Sequence, residues 1–536
     1  MSEEELRADL QDEARVEAPA QTRKRRRKRS VGTGRTNEAG QNPHLEAPFI
    51  TRKMKPYEIL DEAQLDQIEA TSNRIMDEIG IEFREDPEVV ELFRERGVKV
   101  EKTGEETWRL RFEPGLALDI LSTAPERFTQ HARNPKNTIE VGTDATVFLP
   151  SYGCPFMMEM DGTRRYATLE DFETLVKLSQ SSPWVHHSGG TICEPTDIPV
   201  NKRHLDMVYA HIRYSDRPFL GSITAPERAA DSIEMARVLF GKDYVDQHNV
   251  VMGNFNTTSP LVIDGITSKG IRTYARAGQG SIHLPFLLGG AVAPLTMAGQ
   301  VAQNLAETLV SASITQLERP GSPAVIASFM NSMAMRSGSP TFGTPEPAAA
   351  SLIMGQFARR YKLPLRCAGS FTTSKLPDGQ AMQQSMMSAM SAVQSGANFI
   401  MHMAGYLDGL LSMSYEKLVM DFDVCAALHA YLQGVDVNED TLGFEALSEG
   451  GPGEHMFGCA HTLKHYETAY WDSALDDNTP WETWDEAGRV DMATRANKRW
   501  KDTLARYEPP ELDASIDAEL QAFVAQKKDE MPDMWH

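Results

Sequence analysis

Eight short apolar runs recur through the middle of this chain at the spacing of one strand plus one helix, and that rhythm limits the fold more than any other feature. They occupy residues 146–152, 184–190, 218–222, 249–256, 283–290, 324–330, 365–370 and 399–405, and each ends in or near Gly, Ser or Asn. Their starts lie 31 to 41 residues apart. The intervals carry helical periodicity: Leu169, Phe172 and Val176 share one face, and 202–214, 226–240, 266–277, 297–316, 345–361, 381–395 and 415–432 follow in turn. Pro226 stands where a helix tolerates proline, at its first turn. Alternating strands and helices demand a parallel sheet with right-handed crossovers, and eight such units close into a (β/α)8 TIM barrel. The runs lack polar alternation, as expected of strands covered by helices. An open doubly wound sheet would need a glycine-rich phosphate turn after the first strand. The chain offers Ser151-Tyr-Gly-Cys-Pro-Phe156 there, so the barrel is preferred.

The flanks divide the remainder. Residues 1–47 read as a disordered charged arm that contains the basic block Arg23–Arg29. Residues 48–145 read as a small α/β layer, with helices at 61–79 and 87–96 and strands at 107–112, 128–132 and 138–141. The barrel takes 146–435. Residues 436–536 form a C-terminal helical extension whose charged amphipathic helices, 491–507 and 513–528, are expected to pack on a neighbour or a second subunit, hinting at a homo-oligomer. No segment reaches the roughly 18 apolar residues of a membrane helix, and the acidic start is unlike a secretory signal, so a cytoplasmic location is expected. The formal charge of −22 sets the body against nucleic acid and anionic membranes. The five cysteines are scattered without a CxxC pair, which excludes a disulfide framework.

In a barrel the reacting groups come from the strand ends and the loops that follow. Arg366 lies inside the seventh apolar run and His402 inside the eighth. An arginine cannot enter the helix layer without a large desolvation cost, so Arg366 should face inward and clamp a carboxylate, either the substrate's or a structural partner's. Asn254 and Asn256 share parity on the fourth run, His186 and Ser188 on the second, and Ser328 and Met330 on the sixth. Tyr152, Phe156, Phe255, Phe286, Phe329, Phe371 and Tyr406 gather at run ends, where they could box a quaternary ammonium. Candidate substrate-binding residues are therefore Tyr152, His186, Asn254, Phe255, Asn256, Ser328, Met330, Phe371, Arg366 and His402, with the last two the candidate catalytic pair. His455, Cys459, His461 and His465 have ligand-like spacing, but nothing nearby adds a second metal signature; capping roles are expected and no metal is assigned. Asp246-Gln-His248 opens like a cobalamin-ligating DxHxxG signature, but Val251 breaks the match.

Several segments from about residue 56 to 507 resemble the trimethylamine methyltransferase (MttB-like) superfamily. They are Gly289-Gly with Pro294-Leu-Thr-Met-Ala-Gly299, Ala306-Glu307 with Gln316 and Pro320-Gly321, and Met335-Arg-Ser-Gly338 with Pro345-Glu346. Ser374-Lys-Leu-Pro-Asp378 with Gln380-Ala381, Ser414-Tyr-Glu-Lys-Leu-Val419, and Gly453-Glu-His455 with His461-Thr-Leu463 complete the set. The resemblance implies a barrel enzyme that moves a methyl group from an amine to the Co(I) corrinoid of a separate partner protein, with no cofactor held by the chain itself. Only the twenty standard residues occur. The chain therefore resembles the branch without pyrrolysine, whose members demethylate quaternary amines such as glycine betaine, proline betaine or carnitine. A lyase or aldolase-like barrel, a non-corrinoid methyl acceptor, and a binding protein that uses the basic arm remain as alternatives.

Overall fold

The computed structural model describes residues 47–535. The arm, including the basic block at 23–29, lies outside the described residues. Seven of the eight apolar runs form parallel strands: β1 (Ala145–Phe148), β2 (Phe219–Leu220), β3 (Val251–Thr257), β4 (Ser281–Pro285), β5 (Ala324–Ala327), β6 (Leu365–Ala368) and β7 (Phe399–Met401). They make one curled sheet in the order β2-β3-β4-β5-β6-β7-β1. The register sets Asn254 opposite Ile282, Ala327 opposite Arg366, and Arg366 opposite Phe399.

The second run, 184–190, is not a ladder strand, contrary to its apolar reading. It still lies between the two edges of the sheet. His186 N donates to Phe148 O (3.0 Å) on β1, while Ser188 N donates to Pro218 O (2.8 Å) and Leu220 N to Gly189 O (2.8 Å) beside and on β2. Its side chains explain the irregularity. His186 Nδ1 accepts the Phe148 N–H at 2.8 Å and His187 Nδ1 accepts the Gly189 N–H at 2.9 Å, so imidazoles take backbone donors that a ladder would use. Gly189 sits at φ +95°, outside strand geometry.

Eight helices follow the eight runs: α1 (Leu169–Ser181), α2 (Arg203–Tyr214), α3 (Pro226–Phe240), α4 (Gly265–Arg276), α5 (Met297–Glu318), α6 (Pro345–Tyr361), α7 (Gly379–Gln394) and α8 (Tyr415–Leu432). Local chemistry starts them where the sequence suggests. Thr168 makes a capping box for α1, and Asp264, Asp378 and Ser414 accept from the first turns of α4, α7 and α8. Pro226 and Pro345 occupy the first turns of α3 and α6. α5 is buried along nearly its whole length, because the N-terminal layer covers its outer side.

That layer holds the antiparallel strands Ile81–Arg84, Lys99–Gly104 and Thr107–Arg111, extended by Val262–Ile263 from the loop after β3. Arg272 of α4 anchors it with Asp86 at 2.6 Å and Glu318 at 2.8 Å, all three well shielded from water. The expected strands at 128–132 and 138–141 appear as the hairpin Arg127–Gln130 and Ile139–Gly142, which joins β1 rather than the outer layer. Gln130 Nε2 reaches Phe219 O at 3.1 Å and Val250 O at 3.4 Å, so the hairpin spans the N-terminal end of the sheet.

The C-terminal helices Met492–Ala505 and Ala514–Asp529 pack on the chain's own α8 and α1, and on α2 and α3. This is the packing on a neighbour that their charged amphipathic sequence suggests. Ion pairs Lys527–Asp231 (2.9 Å) and Lys202–Asp533 (2.6 Å) fasten the end of the chain to this surface. No helix among the described residues is long and apolar enough to cross a membrane.

Candidate active site

Arg366 is fully buried on β6. Its inward direction follows from its neighbours: Cys367 turns outward to Ser395 Oγ at the end of α7 (3.7 Å), so alternation sends Arg366 to the other face. Nη1 donates to Ser328 O at 3.3 Å, and the guanidinium lies 5.0 Å over the Phe329 ring. Nε and Nη2 have no partner. Burial lowers its pKa to about 10, which leaves the group charged at neutral pH. Among the described residues no carboxylate pairs with it. A charged fork buried with two idle donors is costly unless a ligand completes it.

His402 follows β7 directly and adopts φ +62°, rare for a residue with a side chain. Its backbone is held on both sides: its N–H donates to Pro150 O (3.2 Å) and its C=O accepts from Ser370 N (2.7 Å). The imidazole enters a cluster of rings. Its centroid lies 5.0 Å from Phe371, 5.1 Å from Tyr406 and 5.9 Å from Phe329, and Phe329 and Phe371 stack at 5.5 Å. Nδ1 is buried without a partner. Burial, reinforced by the positive charge of Arg366, holds its pKa well below the ordinary histidine range, so the ring is neutral. Tyr406 hydroxyl donates to Tyr152 O and accepts from Tyr152 N at 3.2 Å, linking the loop after β1 to the loop after β7.

A buried ion pair underpins this geometry. On α8, Lys417 and Asp421 are both fully shielded and bonded to one another. Asp421 also accepts from Ser370 Oγ (2.6 Å) and Gly405 N (2.8 Å), and Lys417 donates to Ser385 Oγ (2.9 Å) of α7. Ser370 precedes Phe371 and Gly405 precedes Tyr406, so one carboxylate sets the positions of two cluster rings.

The other sequence candidates divide. Asn254 is buried on β3 with Oδ1 unpartnered. Its neighbour Phe255 packs outward against Gly270 and Tyr274 of α4, which puts Asn254 on the inner face and removes Phe255 from it. Asn256 is exposed at the rim. His186 also turns outward and stacks on His429 of α8 at 4.8 Å, so the parity expected for the second run was inverted. His187 occupies the opposite face, against Phe399 at 5.5 Å. Tyr152 lies over Gly190, and its phenol is pushed up to about 12 by burial. Ser328 and Met330 line a narrow cleft that reaches behind Phe329 and Phe371 toward α6 and α7. Gln300 and Asn331 escaped sequence reasoning. Each is buried with an unpartnered amide atom, and Gly289 lies between them, where a side chain would strike Gln300. The signal available was the glycine pair at 289–290 just before α5. Lys375 is exposed and bonds Thr373 O at 2.8 Å, so it offers no desolvated amine for a Schiff base.

Of the expected metal-like set, Cys459 turns to Ala446 O (3.7 Å) and Met456 Sδ (3.8 Å), and His455 packs on Phe457. Only His461 and His465 meet, at 4.5 Å between ring centres.

The sequence matches the family model described as trimethylamine methyltransferase (MTTB) over residues 22–532. It is 40% identical over 476 residues to the glycine betaine methyltransferase of Desulfitobacterium hafniense (strain Y51), a match covering 89% of this chain and 98% of that protein. It is 26% identical over 458 residues to the proline betaine:corrinoid methyltransferase of Eubacterium limosum, covering 82% and 92%. It is also 26% identical over 470 residues to the trimethylamine methyltransferase MttB of Methanosarcina barkeri, covering 85% and 92%. With matches of this length and a family model that spans nearly the whole chain, the protein belongs to the trimethylamine methyltransferase family.

Proposed function

We propose that the chain is a methyltransferase that demethylates a carboxylated quaternary amine of the betaine class, with the corrinoid of a partner protein as methyl acceptor. The observation that carries this reading is the buried, partly idle fork of Arg366 beside a cluster of four rings. Arg366 takes the carboxylate through Nε and Nη2. Phe329, Phe371 and Tyr406 surround the ammonium, and the neutral edge of His402 keeps a second positive charge away from it. Asn254 offers a carbonyl oxygen on the inner face. The 40% identical relative named for glycine betaine supports the same substrate class. We read the chain as a branch member without pyrrolysine, and its sheet as a full (β/α)8 barrel whose second stave is the irregular 184–190 segment.

The chemistry asks little of proton transfer. A quaternary amine leaves as a neutral amine when its methyl is taken, so no acid is needed. When docked, the Co(I) corrinoid supplies the nucleophile. The residues of this chain fix the amine, aim one methyl outward and exclude water, which are the contributions of placement and a dry, shaped site. His402 therefore orients and does not titrate. Protonation of its ring occurs only well below the ordinary value of about 6.5, and deprotonation of Arg366 occurs near 10. Betaine affinity should stay level from about pH 6 to 9 and fall above roughly pH 10, as measured by calorimetric titration. An acid limb centred near 6.5 would remove the neutral role of His402.

The test of function is a thermal-shift screen with glycine betaine, proline betaine, carnitine, choline and trimethylamine, followed by methyl transfer to Co(I) cobalamin. A carboxylated quaternary amine should stabilise the protein and be turned over. Stabilisation by trimethylamine alone, or turnover without any preference for a carboxylate, would overturn the reading.

A further inference from the structure

We propose that Asp440, His461 and His465 form a site for a divalent transition metal of the zinc class, which clamps two short helices of the C-terminal extension together. His461 and His465 stand one turn apart on the helix Ala460–His465, and Asp440 comes from the separate helix Glu439–Leu442. His465 Nε2 lies 3.0 Å from Asp440 Oδ2, and one donor atom from each residue falls within 4.8 Å of the others. Among the described residues this is the one place where three such ligands converge.

The donor set suits the ion. Two imidazoles at i and i+4 with one carboxylate make an N2O triad of the kind that zinc accepts, leaving a fourth position for water. The outer contacts are also in place. Lys464 Nζ binds the other carboxylate oxygen, Oδ1, at 2.7 Å, which orients Asp440 and leaves Oδ2 for the metal. His461 Nε2 now bonds Asp440 O at 2.8 Å and would exchange that contact for the ion.

A second observation asks for such a clamp. The helices here are only four, seven and six residues long. From 436 to 480 the buried apolar side chains are Ala446, Cys459 and Leu475, whereas Val437, Phe444, Phe457, Leu463 and Tyr470 are each more than 60% exposed. Helices this short are marginal on their own, and a segment with so little core gains order from a cross-link. The spacing His455, Cys459, His461, His465 suggested a different ligand set; the fold replaces its first two members with Asp440.

The test uses the full chain without a polyhistidine tag, stripped with a chelator and titrated with Zn²⁺ or Co²⁺. About one equivalent should bind, with tetrahedral Co²⁺ absorption and a rise in thermal midpoint. His461→Ala/His465→Ala should weaken Zn²⁺ affinity by more than the roughly 10–100-fold that even an outer contact is worth. His455→Ala should bind like the parent, which separates loss of a ligand from loss of fold. Unchanged affinity in the double variant, or no stoichiometric binding by the parent, would overturn the proposal.

Discussion

Arg366→Met should cost a carboxylated substrate about 30- to 4000-fold in kcat/KM while leaving a plain tetraalkylammonium within about fivefold of the parent. The range follows from the roughly 2–5 kcal/mol that removal of one partner from a buried charge pair costs. The carboxylate contact is much the same before and during methyl transfer, so most of the loss should fall in KM, and kcat should drop only as far as the amine is misplaced. Arg366→Lys should recover little, because an ammonium cannot reproduce the two parallel bonds that Nε and Nη2 offer. The same variant separates function from structure. In the ligand-free protein the guanidinium is buried with two idle donors, and methionine fills a similar volume without them. Arg366→Met should therefore match or exceed the parent in ligand-free thermal midpoint while losing the midpoint rise that betaine gives. A variant that binds both substrate classes equally poorly, or that unfolds early without ligand, would show that Arg366 serves the fold.

What the sequence reveals, and what it hides, follows from whether a contact is local. Arg366 and His402 are legible because each is a polar residue inside an apolar run, where few positions accept one. Asn254 is legible by parity, because β3 is a regular strand with two faces. The same argument fails for His186, because imidazole-to-backbone bonds and Gly189 break the alternation, and inward and outward exchange. Phe255 illustrates another limit. Its size suggests a ligand contact, but Gly253 and Gly270, neither notable in sequence, vacate the space it fills beneath α4. Asp440 is hidden by distance: it lies 21 residues before the histidine it meets. The rim is hidden for a related reason, since long loops rather than strands decide whether Asn256 is covered. The strand–helix rhythm survives in seven of the eight runs, because burial on both faces needs only the right kind of residue at each position and tolerates many choices.

The second large effect is one of stability transmitted to the site. Lys417→Met should destabilise the protein by about 3–5 kcal/mol, because it leaves the Asp421 carboxylate buried with no counter-charge. Asp421→Leu should cost a similar amount, leaving the Lys417 ammonium stranded. Burial already works against both charges, lowering the lysine pKa and raising that of the aspartate, and their mutual attraction holds them ionised. The double variant Lys417→Met/Asp421→Leu should regain part of the loss, since no charge is then buried alone. It should not regain all of it, because Ser370 Oγ and Gly405 N lose their acceptor. Chemical denaturation of the four proteins gives the coupling energy, which should be strongly favourable. The functional consequence follows from position. Those two groups tether the backbone just before Phe371 and Tyr406, so the double variant should lose betaine turnover by about 10-fold or more even at a temperature where it is fully folded. A double variant with the parent's turnover would mean that strand packing alone sets the rings, and that the ion pair on α8 stabilises the fold without shaping its site.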